Sequence, residues 1–500
     1  MVKIFTSSQV RDIDKYTIDN EPVESIELME RAAQELFLSI YSNIGFKDNK
    51  FVIIAGCGNN GGDGLAIARL MYQQSIDFEA YFCAFSENIS KDCSTNLQRL
   101  KEKCSDKIKI ISRADQLVIS KNTLIIDCLF GSGLTRPVNG QFAAIIEKIN
   151  KSENTVIAID IPSGLFGEDN TNNDGTIINA DYTFTIQFPP LSSLFAENDK
   201  YYGKLVVVPI GLSQIAIDET ETEFFITEAN DIISVIKKRN RFDHKGVFGH
   251  ALIIAGQFSR AGAAVLASKA CLRSGVGLLT VHVPQKISDI MQISVPEAML
   301  EVDSCDTVFS DIKNFEKYSA IGIGPGLGTD TKTVSAFLNL IKNTNLPLVI
   351  DADGLNILSE VKNIKKILKP GTILTPHPKE FERLFGKFGN SYLRVKFMQQ
   401  FSAETGVIII LKGGYTTISL PDKRVFFNIG GNPGMATGGS GDVLTGIIAS
   451  FLAQSYTPAA AALSGVFIHS KAGDLAAEKY GLISMIASDL VDCLPDAFKF

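Results

Sequence analysis

Apolar positions along the 500-residue chain recur with two periods, and the alternation between them predicts the architecture. Within residues 25–40, Ile26, Leu28, Met29, Ala32, Ala33, Leu36 and Phe37 fall three and four apart, the spacing of one helical face. Short apolar runs follow at 51–55, 78–85, 123–129, 156–161 and 182–187, separated by helical stretches, and 205–209 reads as a last strand. Such alternation predicts βαβ units around a parallel, doubly wound sheet. A second series begins near residue 251, with runs at 251–255, 277–283, 319–322, 346–351, 372–375 and 407–411. Between the two, residues 211–241 are polar and charged, and only 224–226 suggest a strand. The expected fold class is therefore α/β in two domains, 1–220 and 221–500, with the boundary near residue 220 placed to within about ten residues.

Composition narrows the classes of function. Hydrophobic residues make up 45% of the chain and charged residues 21%, the balance of a soluble globular protein. The 41 glycines against 17 prolines point to many tight βα turns. A net charge of -7 argues against nucleic acid as a partner, although helix N-termini still accept small anions. No run of 18 apolar residues occurs, so no membrane association is expected, and the first 19 residues lack the apolar stretch of a secretory signal. The 8 cysteines are scattered without a CxxC pair, which fits reduced thiols and a cytoplasmic location. The five histidines are not spaced as a zinc motif.

Two glycine-rich segments carry the candidate chemistry. The first, Gly56-Cys57-Gly58-Asn59-Asn60-Gly61-Gly62-Asp63-Gly64, follows an apolar strand and opens a helical stretch. A tight turn would account for a lone GxG. Five glycines with two Asn and one Asp exceed that need and suit close approach of backbone N–H groups to a pyrophosphate. No Gly-Lys-Ser/Thr follows, so the segment is not a Walker loop. Two more strand ends, Asp127-Cys128-Leu129-Phe130-Gly131-Ser132-Gly133-Leu134 and Asp160-Ile161-Pro162-Ser163-Gly164-Leu165, would meet it on one edge of a parallel sheet. Either Asp alone would read as a turn cap. Together they suggest a ligand crevice in which Asn60, Asp127 and Ser163 could share a hard cation.

The second segment is Gly434-Met435-Ala436-Thr437-Gly438-Gly439-Ser440-Gly441-Asp442, ahead of a helix whose apolar face holds Val443, Leu444, Ile447, Ile448 and Phe451. Free N–H groups at that helix start would form an anion hole for a moving phosphoryl group, and Asp442 could take a proton from an attacking hydroxyl. An acid that merely complements the helix dipole would not require the glycines before it. Lys412-Gly413-Gly414-Tyr415-Thr416 could line an adenine nucleotide, or form an ordinary turn. His377 stands between two prolines just past a strand end, a stiff presentation suited to a ligand contact.

The first set of motifs, with Leu28-Met29-Glu30-Arg31-Ala32-Ala33, resembles the NAD(P)H-hydrate epimerase family over about residues 4–212. The resemblance implies a Rossmann-like domain in which Asn59, Asn60, Gly61, Gly62, Asp63, Gly131, Ser132, Gly133, Leu134, Thr135, Arg136 and Pro137 hold the dinucleotide. It further implies that Asn60, Asp127 and Ser163 bind potassium and that Asp160 is the acid/base at the hydrated carbon. Leu191 departs from the Lys that many relatives carry after Pro.

The second half resembles the ribokinase-like superfamily, and more closely its ADP- or ATP-dependent NAD(P)H-hydrate dehydratase branch. His244-Lys245-Gly246, Gly262-Ala263-Ala264, Pro296-Glu297-Ala298-Met299, Gly324-Pro325-Gly326-Leu327-Gly328 and Asp351-Ala352-Asp353-Gly354-Leu355-Asn356 carry the likeness. By resemblance Ala263, Gly326, His377 and Asp442 contact the hydrated cofactor, while Lys412, Gly413, Gly414, Tyr415, Thr416 and Gly441 hold ADP or ATP. Glu380 falls where sugar kinases place a Glu associated with Mg2+, whereas His377 replaces their usual Asn. The two resemblances imply repair of NADH and NADPH hydrates by a homo-oligomer, with Asp160 and Asp442 as catalytic residues. The alternative is a vitamin-alcohol kinase whose N-terminal domain only senses a dinucleotide.

Overall fold

In the computed structural model, residues 1–21, 23–46 and 49–500 are described. The chain divides into two compact units. One comprises Lys3–Thr222 with Asn390–Tyr392, and the other Met1–Val2, Glu223–Gly389 and Leu393–Phe500.

The N-terminal unit is built on a seven-stranded sheet. Its strands lie in the order Ile108–Ile111, Phe78–Cys83, Phe51–Ala55, Leu124–Cys128, Val156–Ile159, Tyr182–Ile186 and Lys204–Val208. Every pairing is parallel. Period-two alternation divides the central strand between two apolar layers: Phe51, Ile53 and Ala55 pack on one face, Val52 and Ile54 on the other. The strand order reverses between Phe51–Ala55 and Leu124–Cys128, and a crevice forms there beyond the carboxyl ends.

In the C-terminal unit the order from one side is Phe224–Ile226, Val425–Asn428, Thr416–Ser419, Ile408–Leu411, Ile373–Leu374, Leu348–Ile350, Ala320–Ile323, His250–Ile254, Leu278–Val283 and Met299–Val302. Pairing is parallel except on the two sides of Thr416–Ser419, where hairpin connections make it antiparallel. The helix Ser440–Ala453 is apolar nearly all round and is buried beside the helix Ala261–Arg273, so it cannot tilt away from the strand ends. All eight cysteines are free. Cys57, Cys83, Cys93, Cys104, Cys128, Cys271 and Cys493 are buried, and Cys305 is partly exposed.

The apolar run at 78–85 ends as a strand at Cys83, and Ile108–Ile111, Met299–Val302, Thr416–Ser419 and Val425–Asn428 are strands that the pattern did not suggest. Ile108–Ile111 lies at the sheet edge, with Lys109 and Ile110 exposed, so the burial that shapes a recognisable apolar run is missing.

Candidate active sites

In the N-terminal unit, a cavity of about 630 Å³ opens at the switch in strand order. Gly58, Asn59, Asn60 and Asp63 line it from the glycine-rich turn and the start of the helix Asn59–Gln73. Residues 129–134 and Asp160 line it from the next two strand ends, and Val10, Arg11, Asp14, Lys15 and Ile18 from the helix Ser7–Asn20. Most glycines of the first turn are there for packing. A Cβ at Gly56 would fall 2.1 Å from the Leu129 carbonyl oxygen, one at Gly61 2.0 Å from that of Gly56, and one at Gly64 2.7 Å from Cys128. Gly58 has nothing within 4 Å of its missing Cβ and leaves the cavity floor open.

Asp160 follows the strand Val156–Ile159 with φ of 66°, a left-handed conformation that costs a non-glycine residue energy and is found most often where a side chain must be aimed. Its Oδ2 accepts the Ser132 N–H at 2.7 Å. Burial raises its carboxyl above the usual range, and the Ser132 donor opposes that rise. A Cβ on Gly131 would stand 2.6 Å from the same Oδ2, so the glycine keeps the carboxylate's place clear. Asp14 is pushed up to about 6 by burial and by Asp160. Asp63, only 7% exposed, is raised further by burial and by Asp160, Asp14 and Asp92.

Below the cavity, fully buried Asp127 accepts the Ser163 N–H at 2.9 Å, the Ser163 hydroxyl at 2.7 Å and the Leu129 N–H at 3.2 Å. Burial still pushes it up to about 6. Asn60 donates to the Phe130 and Ile159 carbonyls, at 2.8 and 3.2 Å, while its buried Oδ1 has no partner among the described residues. An orphaned amide oxygen beside an undercompensated carboxylate and the Phe130 carbonyl is a donor set suited to a hard monovalent cation.

In the C-terminal unit, Asp442 stands in the first turn of the helix Ser440–Ala453, after Gly439 at φ 95°. Burial, then the charge of Asp351, pushes its carboxyl up to about 7, while Lys412 pulls the other way. Lys412 Nζ donates to Asp351 Oδ1 at 2.8 Å, and the Thr445 hydroxyl donates to Asp351 Oδ2 at 2.9 Å. Asp351 thereby holds the ammonium over the helix start: a Cβ on Gly441 would lie 3.2 Å from Lys412 Nζ. Nearby, Gly326 has φ of 62°, and a Cβ there would approach Ala263 to 2.9 Å. Asp353 Oδ2 accepts the Gly328 N–H at 2.8 Å and Arg260 Nη1 at 3.1 Å.

His377 caps the helix Pro378–Phe385, its Nδ1 accepting from the Lys379 and Glu380 N–H groups at 3.0 and 3.3 Å. Accepting at Nδ1 leaves Nε2 to carry the proton of the neutral ring. Gly414 is unobstructed, and Tyr415 is partly exposed. Among the described residues, no group of three or more His, Cys, Asp or Glu side chains is arranged to hold a metal ion.

Residues 25–192 match the family model described as YjeF-related protein N-terminus, and residues 251–496 the one described as NAD(P)H-hydrate dehydratase. A bifunctional NAD(P)H-hydrate repair enzyme of Moorella thermoacetica is 33% identical, over 98% of this chain and 96% of its own length. One from Coxiella burnetii is also 33% identical, over 98% of each chain. The chain belongs to the family of bifunctional NAD(P)H-hydrate repair enzymes. Among solved structures, an ADP/ATP-dependent NAD(P)H-hydrate dehydratase from Bacillus subtilis, co-crystallized with ATP/Mg2+, is 30% identical to 55% of this chain and is itself covered to 98%, at a TM-score of 0.49.

Within this member of the repair-enzyme family, Asn59, Asn60, Asp63, Gly131, Ser132, Gly133, Leu134 and Asp160 all border the N-terminal cavity. Gly61 and Gly62 are packed behind it. Thr135 and Arg136 are exposed, and they and Pro137 do not line it. Asp127 and Ser163 lie beneath, in the network that includes Asn60. Reading the motifs gave Asp351 and Asp353 no role of their own, although their segment carried the likeness, and it did not single out Asp14, Arg260 or Thr445. Asp14 carried a signal: it interrupts the apolar i, i+4, i+8 line of Val10 and Ile18, a polar residue where a buried face should continue.

Proposed function

We propose that residues 1–220 interconvert the R and S epimers of hydrated NADH and NADPH, and that residues 221–500 dehydrate the S form at the expense of ADP or ATP. The observation that carries the reading is the pair of carboxyls, Asp160 and Asp442, each beside a glycine-rich turn, the first raised by burial and the second pushed by burial up to about 7. Membership of the repair-enzyme family supports it over the vitamin-kinase alternative.

Hydroxide is a poor leaving group. Asp442 takes the proton of the substrate hydroxyl as its oxygen attacks the terminal phosphorus of the nucleotide. The N–H groups at 438–441 and the Lys412 ammonium receive charge on the transferred phosphoryl group. Loss of phosphate, with a proton from the adjacent ring carbon, then restores the dihydropyridine. Asp351 keeps Lys412 in place throughout. Mg2+ would neutralise the nucleotide's phosphate oxygens, and buried Glu380, at the start of the helix capped by His377, is the residue we assign to its shell. In the other domain, Asn60, Asp127 and Ser163 would hold potassium beneath the cavity, and Asp160 would exchange a proton at the hydrated carbon. A homo-oligomer in the cytoplasm completes the proposal. No helix among the described residues is long and apolar enough to cross a membrane.

The test is recovery of reduced-nicotinamide absorbance from mixed-epimer NADH hydrate, with ADP or ATP and Mg2+. Complete recovery by the intact chain, none with Asp442→Ala and about half with Asp160→Ala is expected if each carboxyl serves only its own step. A stable phosphorylated product would favour the kinase. No recovery with either nucleotide would overturn the proposal.

A further inference from the structure

Inverting a carbon that bears both a hydroxyl and the ring nitrogen requires a proton donor on one face and an acceptor on the other, and one carboxyl reaches only one face. Asp160 comes to the cavity from a strand end. A second carboxyl, Asp14, comes to it from an element outside the sheet, the helix Ser7–Asn20. That helix is fixed in place. Thr6 and Gln9 form a capping box at its start, the Ser7 hydroxyl donates to Glu168 at 2.9 Å, and Ile13 and Thr17 are buried beneath it. Val10 and Ile18, one turn to either side of Asp14, line the same wall. Arg11 and Lys15 flank it on the same helix, and Asp63 and Asp92 line the cavity from the helices Asn59–Gln73 and Lys91–Cys104.

The cavity is built for a ligand by a measure independent of its acids: Asn60, 6% exposed and lining it, keeps an amide oxygen with no partner among the described residues. Asp63, 7% exposed, also lines it, with no hydrogen bond to its carboxylate among the described residues. Asp92, by contrast, accepts a hydrogen bond from the Ser25 hydroxyl at 2.5 Å.

We propose that Asp14 is the second catalytic carboxyl of the epimerisation, working across the hydrated carbon from Asp160; this rests on the epimerase reading of the N-terminal cavity. In one direction the protonated member of the pair gives its proton to the substrate hydroxyl, the C–O bond breaks, and water leaves while the nitrogen lone pair closes a C=N bond. Water then adds to the opposite face, its oxygen forming the new C–O bond as the C=N electrons return to nitrogen. Its proton passes to the ionised member. Substrate and product are isomers, no electrons are gained or lost, and the pair ends with its proton on the other carboxyl. The next turnover in reverse, or exchange with solvent, resets it. Burial, which raises both acids, and the charge of Asp160, which raises Asp14 further, favour a pair that shares one proton over two carboxylates.

The experiment uses the full chain with a single purified epimer of NADH hydrate, in water enriched in oxygen-18, and follows epimer interconversion and label at the hydrated carbon. The intact chain should incorporate one solvent oxygen per inversion. Asp14→Asn and Asp14→Ser should each lower the turnover number about 100-fold, the scale of a lost general acid–base. KM should move less than about threefold. Asp14→Glu should recover to within about tenfold of the intact chain. Nucleotide-dependent recovery of the S epimer, read in the same samples, should stay unchanged, and unchanged protection of the buried thiols Cys57, Cys83, Cys93, Cys104 and Cys128 shows that the N-terminal unit is folded. Interconversion by both Asp14→Asn and Asp14→Ser at the intact rate, a change in KM alone, or inversion without label would each overturn the inference while leaving the epimerase reading intact. An intact chain that does not interconvert epimers at all would overturn that reading, and this inference with it.

Discussion

The two sites share a device and differ in what surrounds it. In each, a glycine-rich turn leads into a helix and a buried carboxyl stands beside it. At the N-terminal cavity the acids meet uncharged donors: Asp160 the Ser132 N–H, Asp92 the Ser25 hydroxyl, Asp127 both groups of Ser163. At the C-terminal site an ammonium is clamped on the neighbouring Asp351, within reach of the glycines that start the helix. Neutral donors around acids suit movement of protons, since no charged group accumulates. A fixed cation suits transfer of an anion, whose charge must be met as it moves. The turns alone do not separate these chemistries; the residues that the sheets bring to them do.

The sharpest way to break the comparison is at Asp442. Replacing it by Asn should lower dehydration of the S epimer about 10³-fold while epimer interconversion continues, read by absorbance and by separation of the epimers. Gly131→Ala is the counterpart in the other unit. Its new Cβ would press on Asp160 Oδ2, and a misplacement of that kind should slow interconversion about 100-fold without touching dehydration.

The pH profile of dehydration sharpens the contrast further. Asp442 must be ionised to accept a proton and its carboxyl is held up to about 7, so the rate should rise with pH through about 7. Lys412→Met removes the charge that lowers this value, and the rising limb should move to higher pH. An unmoved limb would mean that Lys412 does not sense Asp442. The smallest effect is at His377. Its replacement by Ala removes a helix cap and should cost about 1 kcal/mol of stability, measured by denaturant titration of the intact chain.

The fold was legible in central strands such as Phe51–Ala55 and Ile408–Leu411, because burial on two sides leaves an unbroken apolar run next to a helical stretch. It was not legible at Ile108–Ile111 or Met299–Val302, edge strands with one wet side, nor at the hairpin strands Thr416–Ser419 and Val425–Asn428, which lack the βα rhythm. In the candidate sites, Asp442 stood out because glycines crowd before it in sequence, and Asp160 because it ends an apolar run just ahead of a Pro-Ser-Gly turn. The glycines themselves were over-read. Gly56, Gly61 and Gly64 are required by neighbouring backbone and side chains, and of the early part of the turn it is Gly58 whose Cβ space is free. Asp14 broke an apolar helical line and Asp351 opened a motif, but both reach their sites from elements far away in sequence, so their place there shows only in the fold. His377, read as a ligand contact from its two prolines, already has a structural task as a cap.

The thiols give the molecule a consequence of another kind. Cys305 is the one cysteine that is not buried, and N–H donors from Thr307 and Val308 hold its thiol below the usual value, so it should alkylate first in the native state. The others become reactive only where the structure opens. Cys57, Cys83, Cys93, Cys104 and Cys128 report on the N-terminal unit, Cys271 and Cys493 on the C-terminal one. Mass spectra taken during slow labelling would therefore show which half of this enzyme breathes first, and give each half its own clock for local unfolding, with no probe added by mutation.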